Sequence, residues 1–129
     1  MDLQLKNRTA LVTGATKGIG RAIALAFAAE GANVAVCSRT QVDVDDMVET
    51  LHKSEVGAFG LAVNVRDDAS VKNFIDATAK TFGGIDIVVS NVSAASRDWR
   101  EMLETDLMGA QRLFESSLPY LRKSAIPSY

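Results

Sequence analysis

The sequence predicts an α/β fold in which a parallel sheet carries helices on both faces. Short runs rich in β-branched residues alternate along the chain with longer segments of helical period, and each short run is apolar on both of its faces. Strands covered by helices on both sides have this composition. Parallel strands also need crossover connections, which are right-handed, so the alternation predicts one sheet between two helical layers.

Four segments have the length and composition of strands. They are TALVTG at 9–14, NVAVCS at 33–38, GLAVNV at 60–65 and DIVVSN at 86–91. Helical segments separate them, in the order strand, helix, strand, helix. The final SAIPSY, at 124–129, is typical of the approach to a fifth strand.

The segments between the strands have the spacing of amphipathic helices. The first ends at Gly31, a typical helix stop, the second closes at Gly57, and the third begins with acidic residues and ends in two glycines. The residues predicted to face inward are Ile19, Ile23, Ala26 and Phe27 in the first helix, Val44, Met47, Val48 and Leu51 in the second, and Val71, Phe74, Ile75 and Phe82 in the third.

The last third of the chain is predicted to be one long helix, over residues 98–123. Its apolar residues cover more than one stripe, which predicts that a second element or a second chain covers part of it. Pro119, near its end, is expected to kink or end the helix. The apolar residues are Trp99, Met102, Leu103, Leu107, Ala110, Leu113, Phe114, Leu118 and Leu121.

Length and composition favour a single domain, residues 1–129, with 47% hydrophobic and 23% charged residues. The net charge is -2 and no basic run is present, so nucleic acid is not expected as a partner. No run suits a membrane span or a secretory signal, so the chain is expected to be cytoplasmic with no membrane partner. Cys37 is expected to be a buried hydrophobe rather than a nucleophile, and His52 a surface residue.

Three glycines separate the first predicted strand from the first predicted helix, in TGATKGIG at 13–20. Gly14 would allow the tight turn, Gly18 the approach of the backbone to a pyrophosphate, and Gly20 the packing of helix on strand. Helix amides and the helix dipole would then face the phosphate. The spacing is G-x-x-x-G-x-G, so the match to the dinucleotide fingerprint is by mechanism. The alternative is a glycine-rich turn of structural use only.

Four motifs in order resemble the short-chain dehydrogenase/reductase family, of the 3-oxoacyl carrier-protein reductase type. They are TGATKGIG, NV at 64–65, SNVSA at 90–94 and DLMG at 106–109, and the resemblance runs from Arg8 to Tyr129. It implies a Rossmann-type fold, a nicotinamide dinucleotide cofactor, and hydride transfer between an alcohol and a carbonyl. The cofactor-binding residues that follow are Gly14, Thr16, Lys17, Gly18, Ile19, Gly20, Ser38, Arg39, Thr40, Asn64, Val65 and Asn91.

The end of the second predicted strand favours NADP(H) over NAD(H). In dinucleotide folds an acid at this place binds the ribose hydroxyls, whereas an arginine accommodates the 2′-phosphate of NADP. The sequence here is Ser38-Arg39-Thr40, and Lys17 adds a second cation from the glycine loop. The alternative is that both cations are solvated surface charges. The resemblance further implies that Asn64 faces the adenine and that Asn91 holds the cofactor near a ribose.

Three departures from the family pattern affect the expected active site. The usual N-A-G reads Asn91-Val92-Ser93, and the connection from there to Trp99 is shorter than usual, which predicts loss of part of the active-site rim. Asp106 stands where the family has an asparagine that supports a proton relay. We interpret Asp106 as a satisfied polar group of the helix.

The sequence lacks the tyrosine, followed four residues later by lysine, that the family uses as acid and base. Tyr120 is followed by Ser124, and Tyr129 is the last residue. No residue is therefore assigned a catalytic or metal-binding role, and whether the chain alone is an enzyme stays open. The chain resembles the amino-terminal half of such an oxidoreductase, truncated after about four strands.

Three hypotheses follow for the function. The chain is an NADP(H)-binding half-domain without turnover, or an enzyme completed by a missing carboxy-terminal half, or a folding or assembly module or engineered fragment with a vestigial cofactor loop. Besides the cofactor, the expected partner is a second copy of the chain, in a homo-oligomer, or that missing half.

Overall fold

The computed structural model describes residues 4–92 and 98–129, and in them four parallel strands form one sheet in the order β3-β2-β1-β4. The strands are β1 Thr9–Thr13, β2 Asn33–Ser38, β3 Ala58–Ala62 and β4 Ile87–Val89. The helices are α1 Gly18–Ala29, α2 Gln41–His52, α3 Asp68–Phe82, α4 Trp99–Met102 and α5 Gly109–Leu121, with a π-helical turn, Leu103–Met108, between α4 and α5. The predicted parallel sheet with helices is confirmed.

The strand order reverses between β1 and β4. The chain builds outward from β1 to β3 and then returns to place β4 on the other side of β1. In doubly wound sheets of this kind, ligands bind beyond the carboxyl ends of the strands at the point of reversal. Here Gly14 follows β1 and Asn91 lies just after β4, so these two residues mark that point.

Helices cover both faces of the sheet. Leu11 and Val12 are neighbours in β1 and are both fully buried, although they point to opposite faces. On one side Val12 packs with α1 and α2, and on the other Leu11 packs with α3 and α5. A strand that is buried on both faces reads as a continuous apolar run, which is why the sequence identified β1 and β2.

The predicted inward stripe of α1 is half right, because Ile23 and Phe27 pack against the core whereas Ile19 and Ala26 do not. Ile19 is 74% exposed, whereas the buried residues of α1 are Gly20, Ala24 and Ala28. The helix turns its smallest residues toward the sheet and the glycine loop, where a larger side chain would hold it away. Ile23 and Phe27 are half-buried beside this contact, and Ala26 is exposed.

Helices α2 and α3 face the sheet as predicted, with two differences at their ends. Helix α2 ends at His52 instead of continuing toward Gly57, and the chain turns away through Glu55, whose φ is 60°. In α3 the Asp67 side chain accepts a hydrogen bond from the Ala69 N–H and caps the helix, which begins one residue after it. Gly83 then ends α3 in the left-handed conformation.

Strand β3 begins two residues earlier than predicted and is an edge strand. Its pairing with β2 runs from Ala58 opposite Val34 to Ala62 opposite Ser38, which leaves residues 63–65 in the loop that follows. Because β3 has a neighbour on one side only, most of its residues are half-buried. The strand is still apolar and covered on both faces as predicted, because Phe59 stacks on Phe74 of α3 and Gly60 faces α2.

The chain is helical from Trp99 to Leu121, close to the predicted 98–123, but its middle residues are π-helical. The π-helical turn separates the short α4 from α5, and Pro119 lies inside α5 without ending it. Trp99, Leu107 and Phe114 remain exposed, whereas Leu113 and Leu121 are buried against α3 and the sheet. None of the helices in the described ranges is long and apolar enough to cross a membrane.

The approach to a fifth strand is confirmed by a parallel bridge between Ser128 and Ile87. The Val88 N–H donates to the Ser128 carbonyl at 2.8 Å, and the Ser128 N–H donates to the Asp86 carbonyl at 2.9 Å. The Asp86 carboxylate also accepts from the Thr9 N–H at 2.9 Å, which links this edge to β1. The carboxy-terminal segment thus covers part of the outer edge of β4.

Replacing Gly60 in β3 by alanine is expected to destabilise the chain by about 1–3 kcal/mol. A Cβ at Gly60 would lie 2.4 Å from Val44 Cγ1 and 2.9 Å from Val48 Cγ2, both in α2, so α2 must shift. Urea unfolding of Gly60→Ala measures the change, with Ala62→Ser on the exposed end of the same strand as control. Equal free energies of unfolding for Gly60→Ala and the wild type would contradict the packing described.

Candidate functional site

A groove of about 380 Å³ opens at the carboxyl ends of the strands. The loops after all four strands contribute to it, as does the segment that contains α4 and the π-helical turn. Nine of the predicted site residues line it, namely Gly14, Thr16, Lys17, Ser38, Arg39, Thr40, Asn64, Val65 and Asn91. The other three, Gly18, Ile19 and Gly20, form the start of α1 and do not line the groove itself.

Two glycines of the loop adopt backbone conformations that other residues avoid. Gly14 has a φ of 61° and Gly18 a φ of 56°. A Cβ at Gly18 would meet no atom within 4 Å, so its conformation and not crowding within the chain requires glycine there. The open space beside Gly18 leaves its backbone accessible from outside, as the predicted contact with a phosphate needs.

Gly20 packs against the loop rather than against a strand, which corrects the role assigned to it from the sequence. A Cβ at Gly20 would lie 2.2 Å from the Gly14 carbonyl oxygen and 2.4 Å from Asn91 Nδ2. These distances are far below any van der Waals contact. The loop, the first turn of α1 and Asn91 can therefore come together only if residue 20 has no side chain.

Asn91 holds the glycine loop in place. Its N–H donates to Thr13 Oγ1 at 2.9 Å, and its Nδ2 donates to the Gly14 carbonyl at 3.2 Å. Thr13 in turn donates to the Val89 carbonyl at 3.3 Å, which ties the ends of β1 and β4. The sequence placed Asn91 in the site but did not reveal that its side chain binds the loop.

The start of α1 has amides that no side chain caps. Lys17 occupies the N-cap, its side chain makes no capping hydrogen bond, and the first turn contains no acidic residue. By contrast, Asp67 and Asp98 cap α3 and α4 through their carboxylates. Free amides and the positive end of the helix dipole suit an anion, and a lysine at this end is unfavourable without one.

Three cations and two acids line the groove. The sequence pointed to Lys17 and Arg39, and the structure adds Arg66, with Asp43 and Glu101 as the acids. Arg66 comes directly after the Asn64-Val65 pair, so its position and its positive charge could have identified it as a lining residue from the sequence. Asp43 also lies in the first turn of α2, where it interacts favourably with that helix dipole. Other lining residues missed from the sequence are Val63, Val92 and Thr105.

The Asn64 side chain shapes its own loop. The side-chain Oδ1 accepts a hydrogen bond from the Arg66 N–H at 3.0 Å. The main chain of Asn64 adds two more, since its carbonyl accepts from the Asp67 N–H at 3.0 Å and its N–H donates to Ser70 Oγ at 3.1 Å. The side-chain oxygen is therefore engaged in a turn, which leaves the Nδ2 group as the donor that Asn64 can present to a ligand.

Neither tyrosine in the carboxy-terminal part is placed as an acid or base at the groove. The Tyr120 hydroxyl donates to Asp76 at 2.6 Å, and this hydrogen bond raises the pKa of Tyr120 above its usual value. The Tyr129 hydroxyl donates to the Ala110 carbonyl at 2.8 Å. Asp106 is half-buried in the π-helical turn, and His52 is exposed as predicted.

Two predictions from the sequence fall outside the described residues. The shortened connection occupies residues 93–97, which also include Ser93 of the altered N-A-G motif. Within residues 4–92 and 98–129, no group of three or more histidine, cysteine or acidic side chains could hold a metal ion.

Comparisons with known proteins point to one family. A family model described as short chain dehydrogenase matches residues 8–126. Tropinone reductase-like 3 from Erythroxylum coca is 38% identical over 112 residues, which are 87% of this chain and 43% of that protein. The 3-oxoacyl-(acyl-carrier-protein) reductase FabG of Staphylococcus aureus is 32% identical in an alignment 124 residues long that covers 88% of this chain and 50% of that protein.

A solved structure shares the fold of the chain. The L-sorbose reductase of Gluconobacter frateurii, complexed with NADPH and L-sorbose, superposes with a TM-score of 0.87 at 31% identity. The match covers 95% of this chain and 50% of the reductase. The chain therefore spans about half the length of the relatives it matches.

Cys37 is buried below the groove, and its burial makes the stability of the chain depend on pH. Desolvation raises the pKa of its thiol from 9.0 to about 12, so the folded state favours the protonated thiol. This contribution is fully present below pH 9 and is lost as pH rises through 12. Cys37 is thus buried, as the sequence predicted.

Raising the pH from 8 to 10 is expected to cost the wild type about 1.4 kcal/mol more stability than it costs Cys37→Ala, because only the wild-type unfolded state releases this proton. Urea unfolding of both proteins at the two pH values measures the difference. Identical pH dependence would contradict the burial of the thiol.

Proposed function

The chain belongs to the short chain dehydrogenase family, and on that premise we propose that residues 1–129 form a single domain that binds NADP(H). The domain is the cofactor-binding portion of an oxidoreductase that transfers hydride between an alcohol and a carbonyl. The observation that carries this proposal is the uncapped start of α1, which lies next to a groove lined by cations.

The glycine loop is the place proposed for the pyrophosphate. The amides of Gly18 and Ile19 belong to the first turn of α1, where intrahelical partners are lacking. A phosphate there gains hydrogen bonds from these amides and the favourable end of the helix dipole. Thr16 lines the groove beside them and offers a hydroxyl donor. The charge of Lys17 at the N-cap then becomes favourable instead of unfavourable.

The end of β2 is the place proposed for the 2′-phosphate of NADP(H). Ser38, Arg39 and Thr40 line the groove there, and Lys17 faces it from the glycine loop. Arg39 is exposed, so its guanidinium is accessible to a phosphate, which it can bind through two parallel N–H donors. Arg66, in the loop after β3, adds to the positive charge of this part of the groove, whereas Asp43 of α2 reduces it. NADPH, which the related L-sorbose reductase binds, carries this phosphate.

The loop after β3 is the place proposed for the adenine. Asn64 presents its Nδ2 as a donor because its Oδ1 is engaged in the turn, and Val65 adds an apolar surface beside it. Asn91 is proposed to act nearer the nicotinamide end, where it supports the glycine loop through Gly14 and lines the groove.

The chain is proposed to bind the cofactor without turning it over by itself. Reduction of a carbonyl needs a proton donor beside the transferred hydride, and the hydroxyls of Tyr120 and Tyr129 donate instead to Asp76 and to the Ala110 carbonyl. The family pair of tyrosine and lysine would come from a further part of the enzyme.

Replacing Arg39 by aspartate is expected to weaken NADPH binding about 10- to 150-fold, because a charge-assisted contact of about 1.5–3 kcal/mol is lost and repulsion is added. NADH lacks the 2′-phosphate, so its affinity should change about threefold or less. Fluorescence titration with both cofactors measures the dissociation constants. Arg122→Asp, on the exposed end of α5, controls for the change in net charge. Equal losses for NADPH and NADH in Arg39→Asp would refute the assignment.

A second copy of the chain is proposed to cover the exposed face of the last helical segment. Trp99, Leu103, Leu107 and Phe114 are 71%, 44%, 61% and 40% exposed, and all four lie within the helical segment from Trp99 to Leu121. Large apolar side chains grouped in this way are typical of interaction surfaces. The homo-oligomer expected from the sequence would use this face.

Replacing Leu107 by glutamate is expected to shift the chain toward the monomer, because a charge would be buried in the interface. Sedimentation velocity over a range of concentrations measures the association. Val42→Glu, which changes an apolar side chain of 66% exposure on α2, is the matched control. A wild-type chain that stays monomeric at all concentrations would contradict this proposal. A chain that associates but binds no dinucleotide would favour the assembly module instead.

A further inference from the structure

Arg112 of α5 links two segments that line the groove, the loop after β3 and the π-helical turn. Its side chain is 18% exposed, and its Nη1 donates to the Val65 carbonyl at 3.2 Å. Its Nε pairs with Asp68 Oδ1 at 2.5 Å, and its Nη2 pairs with the carboxylate of Glu104. The hydrogen bond to Glu104 is the main cause that raises the pKa of Arg112 above its usual value, so the group is charged throughout the working pH range.

The contacts of Arg112 reach both walls. Val65 lines the groove in the loop after β3, and Thr105, the neighbour of Glu104, lines it in the π-helical turn. These two segments are the two walls. The Nη1 of Arg112 also approaches the Glu104 carbonyl at 3.5 Å. One guanidinium therefore binds a main-chain group of each wall as well as a carboxylate beside each wall.

The packing at Gly109 strengthens this connection. A Cβ at Gly109 would lie 3.4 Å from the Cβ, Cγ2 and carbonyl oxygen of Val65, so the first residue of α5 lies close to the loop. The loop begins where β3 ends at Ala62, and its first residues are bound to neighbouring elements: the Val63 N–H donates to the Ser38 carbonyl at 2.8 Å, and the Asn64 N–H donates to Ser70 Oγ of α3 at 3.1 Å. The position of Val65 and Arg66, further along the loop, then depends on the turn around Asn64 and on the contacts with α5.

We propose that Arg112 is a positioning residue that sets the loop Asn64–Arg66 and the width of the groove, and thereby the affinity for the adenosine end of NADP(H). This inference rests on the proposed function. The planar guanidinium is suited to the task because its donors point in several fixed directions at once, whereas a lysine ammonium on a flexible stem cannot reach both carboxylates and the Val65 carbonyl together.

The test compares Arg112→Lys with Arg122→Lys, a matched change on the exposed end of the same helix. Titrations use NADPH and adenosine 2′,5′-bisphosphate, which represents only the adenosine end. Arg112→Lys should weaken both ligands by about tenfold and by the same factor, the scale of one charge-assisted hydrogen bond. Arg122→Lys should leave both affinities unchanged.

A merely structural role for Arg112 predicts a different result. In that case Arg112→Lys lowers the urea midpoint but leaves both affinities at the wild-type value, and this outcome overturns the proposal. Equal weakening by Arg122→Lys overturns it as well. If Arg112→Lys does not fold, Glu104→Gln takes its place, because it removes the charged partner in the π-helical turn and is judged by the same affinities.

Hydrogen exchange of the ligand-free chain separates this inference from the proposed function. The amides of Arg66 and Asp67, which donate to Asn64, should exchange faster in Arg112→Lys than in Arg122→Lys. A wild-type chain that binds neither ligand refutes the proposed function, and the exchange rates then still decide whether Arg112 holds the loop. Unchanged exchange at Arg66 and Asp67 overturns the inference even if the wild type binds NADPH.

Discussion

The contact that the rest of the structure depends on is the one between Gly20, the Gly14 carbonyl and the side chain of Asn91. A Cβ at Gly20 would lie 2.2 Å from that carbonyl, so the first turn of α1 can approach the loop only because this position is bare. Asn91 then binds Gly14 and Thr13, which fixes the end of β1 to the end of β4 at the reversal of the strand order. The uncapped amides of α1 are held beside the groove as a result.

The carboxy-terminal helices complete a site that the first strands begin. The glycine loop and the end of β2 supply the amides and two of the three cations, whereas the loop after β3 extends past its edge strand and needs further support. Helix α5 supplies that support through Gly109 and Arg112, and the π-helical turn brings Thr105 to the groove. The proposed anion site and the proposed adenosine end of the groove therefore depend on parts of the chain that are far apart in sequence.

Much of the fold follows from local patterns, and the failures have physical causes. Buried central strands such as β2 are continuous apolar runs, and the loop with Gly14 and Gly18 is recognisable because both need positive φ. The stripe of α1 was partly misjudged because periodicity ranks residues by apolarity, whereas this contact selects the smallest ones. The π-helical turn leaves no periodic signal, and Arg112 reaches the loop only through tertiary packing, so neither was predictable.

The most direct test of the account follows the backbone amides by NMR while adenosine 2′,5′-bisphosphate is added to the wild-type chain. We expect the largest shift changes at Gly18, the first residue of α1, and at Arg39 and Val65, in the loops after β2 and β3. Changes centred on the exposed face around Leu107, or no saturable changes at all, would contradict the claim that this groove binds the adenosine end of NADP(H).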